Sequence, residues 1–122
     1  MDTSDLDRLL DKVASAAAGL AALALSNSEQ AELVAIINAA VGNLRASGCL
    51  TAVPTGDSAA VHTWRHAVIG QIALFITAAE LLASDPDYPL PETARRWAEQ
   101  VYTAARQMNA IVENHVAAHD SR

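Results

Sequence analysis

The chain has 122 residues, 52 % of them hydrophobic but only 4 % aromatic, and a formal net charge of −6. That length suits one domain that buries a core without disulfide or metal support. One lysine and seven arginines, scattered among fourteen acids, exclude a broad phosphate-tracking surface, so nucleic acid is not an expected partner.

Alanine and leucine dominate, and no window alternates with period two, which points to an all-α protein with closely spaced helices. The Ala-rich, Arg-over-Lys usage also suits an actinobacterial or phage source. The acidic start (Asp2, Asp5, Asp7, Asp11) is the reverse of a secretory leader, and a cytoplasmic location is expected. Cys49 is the only cysteine and has no internal partner.

The first helix is predicted over about 5–25, with Leu6, Leu9, Leu10, Val13, Ala17, Leu20 and Ala24 on its core face. Ser4 and Asp7 resemble a capping box at its start. Ser26-Asn27-Ser28-Glu29 makes a short reversal, with Ser26 or Ser28 as the next cap, so the second helix returns antiparallel over 29–47. It should bury Leu33, Val34, Ile37, Ala40, Val41 and Leu44 and end at Gly48. Its back carries Ala35, Ala39, Gly42 and Ala46 where long charged side chains are expected. That ridge reads either as plain alanine-rich surface or as a close contact between subunits.

After the irregular loop 49–56, a third helix over 58–84 is the most apolar stretch of the chain. Its polar residues (His62, Thr63, His66, Thr77, Glu80, Ser84) share one narrow face. Trp64, Val68, Ile72, Phe75, Ala79 and Leu82 form the stripe opposite, while Ile69, Leu74, Ile76 and Leu81 widen the apolar surface on both flanks. A bilayer span is disfavoured because Gln71 and Glu80 interrupt the run. Asp85-Pro86 stops the helix, and a proline-rich corner leads to a fourth over 91–118. The last helix should bury Ala94, Trp97, Val101, Ala105, Met108, Val112 and His119, with His115 alongside, and should pair Glu99 with Arg95. These elements make one domain over 1–122, an antiparallel up-and-down four-helix bundle.

Two i,i+4 histidine pairs, His62/His66 and His115/His119, have the spacing of a metal pair on one helix face. The wheel sets the first pair on a polar face and the second on a core face. The other reading is helix-end histidines that bond locally. Gln71 falls on the expected core stripe and needs a partner, either Tyr102 or a backbone carbonyl; otherwise it walls a small pocket with Trp64, Trp97 and Tyr102.

No phosphate loop, Cys-x-x-Cys, Gly-x-Ser-x-Gly, His-Glu-x-x-His or di-iron carboxylate pattern is present, and no cofactor is implied. The sequence therefore points away from an enzyme. It points towards a bundle acting by protein association, most simply a homo-oligomer in an adaptor, assembly or inhibitor role. The third helix, Ile69 and Ile76 included, and the Ala35/Ala39/Gly42/Ala46 ridge are the expected interface. The alternative is a metal- or small-ligand-binding bundle using His115/His119 and the Gln71 region.

Overall fold

A computed structural model describes residues 2–120. Four helices follow in order: α1 (Asp5–Ala22), α2 (Ser28–Ser47), α3 (Ser58–Ser84) and α4 (Glu92–Asp120). Each helix packs on its neighbours in the chain, and α4 closes the square against α1. The backbones of the diagonal pairs α1/α3 and α2/α4 do not approach closely, and their side chains share one core. The result is the antiparallel up-and-down four-helix bundle. Its core is leucine, isoleucine and valine filled in by alanine: Ala16, Ala17, Ala40, Ala78, Ala79, Ala94, Ala98, Ala104 and Ala105 are all buried.

Helix ends differ from the sequence expectation where local capping chemistry decides. α1 stops a turn early, because Ala24 takes a left-handed φ of 49° and turns the chain out of the helix. Ser4 does not cap α1. Instead its N–H and its hydroxyl both donate to the Asp2 carboxylate, and these bonds hold the Asp2 pKa below its ordinary value. α2 is capped by Asn27, not by either neighbouring serine: Asn27 Oδ1 accepts from the Gln30 N–H at 3.0 Å. Gly48 closes α2 with a φ of 66°, as the Gly signal implies. Asp57 caps α3 by accepting from the N–H groups of Ala59 and Ala60. In the corner after α3, Asp85 Oδ1 accepts from the N–H groups of Asp87 and Tyr88. α4 begins one residue after Pro91 and runs two residues beyond the expected end.

The extra length of α3 and α4 beyond the end of α2 is met by the 49–56 loop. Leu50 is buried there, the Trp64 indole N–H donates to the Cys49 carbonyl at 2.7 Å, and His115 Nε2 reaches the Pro54 carbonyl at 2.8 Å.

Candidate interaction surface

Among the described residues nothing covers the face of α3 turned away from the core. From His66 to Leu81 its exposed positions are His66, Ala67, Gly70, Ala73, Leu74, Thr77, Glu80 and Leu81. Between His66 and Glu80, roughly 21 Å of helix at 1.5 Å per residue, none of the exposed side chains is charged. Leu74 is 41 % exposed and Leu81 52 %. A peripheral bundle helix ordinarily carries charged residues on this side. Among the described residues α3 is the one helix long and apolar enough to cross a bilayer, and only 33 % of its most apolar window is buried in the bundle.

The uncovered strip has two edges. Gln71 Oε1 accepts from Asn43 Nδ2 of α2 at 3.5 Å, a long contact that marks the α2 side. Leu74 and Leu81 lie on that edge, and Leu81 lines a groove of about 340 Å³ with Leu33 and Ile36 of α2. Ile36 is itself 41 % exposed. On the α4 edge, Glu80 and Leu81 line a groove of about 630 Å³ with Ala98, Tyr102 and Thr103. Ile69 and Ile76 are half-buried and packed against the core, so the more exposed aliphatic groups are the two leucines. The polar residues opposite the core stripe already marked this face in the sequence. The lean of Leu74 and Leu81 towards solvent needed the placement of α2.

Ala35, Ala39, Gly42 and Ala46 are all exposed, and a β-carbon built on Gly42 meets nothing within 4 Å. Ala35 also lines a shallow apolar groove with Ala21 at the end of α1 and with Ala24 and Leu25 in the turn after it.

The histidines do different work. His115 and His119 have ring centroids 4.2 Å apart, tilted 45° to each other, and His115 meets Trp64 edge-on at 5.3 Å. A carbonyl only accepts, so His115 Nε2 carries the hydrogen in its bond to Pro54. By the same argument His119 Nδ1 donates to the His115 carbonyl at 2.8 Å. Both half-buried rings thus lie beside the loop end of the bundle, and neither belongs to the core stripe proper. His62 and His66 are exposed. Among the described residues no three His, Cys, Asp or Glu side chains group as a metal site would need. Nearby, Arg65 Nε and Glu113 Oε1 pair at 2.7 Å, half-exposed.

The four residues of the alternative pocket, Trp64, Gln71, Trp97 and Tyr102, stand apart. Gln71 is half-buried on the α2 flank and bonds to Asn43, not to Tyr102. Trp64 sits at the loop end with its N–H on Cys49. Trp97 packs over Gly19 of α1. Tyr102 Oη accepts from Arg106 Nη1 at 3.0 Å. The four side chains belong to separate contacts because successive turns of α3 and α4 face different neighbours. The expected Arg95–Glu99 pair is replaced by Arg96–Glu92 at 3.0 Å. Among the described residues the buried polar side chain is instead Gln30, whose Nε2 donates to the Tyr88 carbonyl at 2.6 Å and ties the proline corner to α2. A polar side chain in the first turn of a helix gave no sequence signal of this.

Compared with protein-family models, with curated proteins and with solved structures, the chain matches none of them.

Proposed function

We propose that this protein works by association, as a non-catalytic helical bundle that joins copies of itself through the outer face of α3, in an adaptor, assembly or inhibitor role in a bacterial or phage cytoplasm. One observation carries the reading: an uncharged strip of α3 about four turns long, with Leu74 and Leu81 41 % and 52 % exposed, is left bare by the described residues of its own chain. A protein partner suits it better than a bilayer. The same helix supplies Trp64, Val68, Ile72, Phe75 and Leu82 to the bundle core, and inserting it would strip that core. His66 and Glu80 at the two ends of the strip also suit a polar rim around an apolar centre.

Sedimentation equilibrium across a wide concentration range tests this. The native chain should show a dimer or larger species that Leu74→Glu or Leu81→Glu returns to monomer without lowering helix content. A native chain that stays monomeric at roughly millimolar concentration, far above the micromolar range of weak specific complexes, overturns it.

A further inference from the structure

The strip on α3 has a chemistry that complements itself when a second copy is turned end for end. Every helical stripe has a point of approximate symmetry between two residues, so the residues at matching levels decide whether self-pairing is favourable. The centre of this strip lies between Ala73 and Leu74. Gly70 and Thr77 then sit roughly 5 Å to either side, and Ala67 and Glu80 roughly 10 Å, at 1.5 Å per residue.

From these matches we infer that the protein is a two-fold dimer in which α3 packs antiparallel on α3 of a second copy, with the axis passing between Ala73 and Leu74. This rests on the association reading above and adds its geometry. A two-fold axis perpendicular to both helices keeps the α2 edge of one copy beside the α2 edge of the other. On that edge Leu74 meets Leu74 of the second copy, and Leu81 lands over Ala67, a small side chain, while Thr77 faces Gly70, whose β-carbon position has nothing within 4 Å in its own chain. On the other edge Glu80 comes within about 1.5 Å, one residue's rise, of the level of His66 of the second copy. Neither residue has a hydrogen-bond or ion-pair partner within its own chain among the described residues. The axis repeats each match, so two His66–Glu80 contacts bracket an apolar seam. A parallel pairing would set Glu80 against Glu80 and Gly70 against Gly70, with repulsion at one level and a gap at another. The seam alone is shorter than a standard interface, and exposed Ile36 of α2 extends it on the leucine edge.

Disulfide trapping of the full chain, with Cys49→Ser as background, tests the register. Leu74→Cys should couple to itself. Gly70→Cys and Thr77→Cys should each fail alone, because like positions stand roughly 10 Å apart along the seam and a disulfide needs α-carbons within about 7 Å. Mixed together, these two should couple at least about ten-fold more than either alone. As a second measure, His66→Glu should weaken dimerisation about five-fold or more, and adding Glu80→Lys should restore it, as expected for opposed charges within reach. Self-coupling of Gly70→Cys, or absence of mixed coupling in a chain that sediments as a dimer, overturns this geometry and leaves self-association standing. A native chain that is monomeric overturns both.

Discussion

The indole of Trp97 on α4 fills the space that a side chain at position 19 of α1 would need: a β-carbon on Gly19 would stand 2.5 Å from Trp97 Cε2. A helical glycine replaced by alanine ordinarily gains about 0.5–1 kcal/mol of backbone entropy. Here the rigid ring must move, and the overlap decides the sign. Gly19→Ala should cost about 1–3 kcal/mol net, the range of overpacked cores, and melt below the native chain. Gly42→Ala, with open space around its β-carbon, should melt higher. Equal shifts for the two variants would contradict the close approach of α1 and α4.

The loop after α2 is held by two side-chain donors, Trp64 Nε1 and His115 Nε2, on backbone carbonyls. Trp64→Phe keeps the ring and removes the donor, and should cost about 1 kcal/mol, as one net hydrogen bond does. Cys49 is half-buried in that loop, with the Ser47 hydroxyl 3.0 Å from its sulfur. Its reaction with a thiol reagent should quicken in Trp64→Phe and in His115→Ala, more than in a surface control such as Glu92→Gln. An unchanged rate would mean that the loop is held by Leu50 alone.

Gln30 links α2 to the proline corner through the Tyr88 carbonyl. Gln30→Ala should cost about 1–2 kcal/mol, from the lost bond and the loss of packing at a site only 6 % exposed. Amide exchange should accelerate at Asp87 and Tyr88 first, because the corner opens there. Asn27→Ala should cost a further ~1 kcal/mol as a lost cap, while Ser26→Ala should be near neutral.

The Arg65–Glu113 pair is short, yet its side chains are 38 % and 44 % exposed. Water and salt screen such a pair, so Glu113→Gln should change stability by no more than about 0.5 kcal/mol, and less still at high salt. A larger loss on thermal melting would show that the pair does more than its exposure implies.

The sequence by itself determined four helices, their antiparallel order and most of the core. A repeat of 3.6 residues reports which side of each helix is apolar without knowing its neighbour. Leu6, Leu9, Leu10 and Val13 on α1, and Val68, Ile72 and Phe75 on α3, follow from that alone. Tertiary structure decided where Gln71 and the histidines point. Periodicity fixes a residue's angle on its own helix and says nothing of how that helix is rotated against the next. It also decided the contacts that bridge distant positions: Trp64 to Cys49 across 15 residues, His115 to Pro54 across 61 and Gln30 to Tyr88 across 58. Those donors meet their carbonyls only after the helices have packed, because each bond joins a loop to a helix whose position comes from hydrophobic burial elsewhere. The bare face of α3 belongs to both accounts. Composition showed too much apolar surface for one helix, and packing showed which side of it the bundle leaves open.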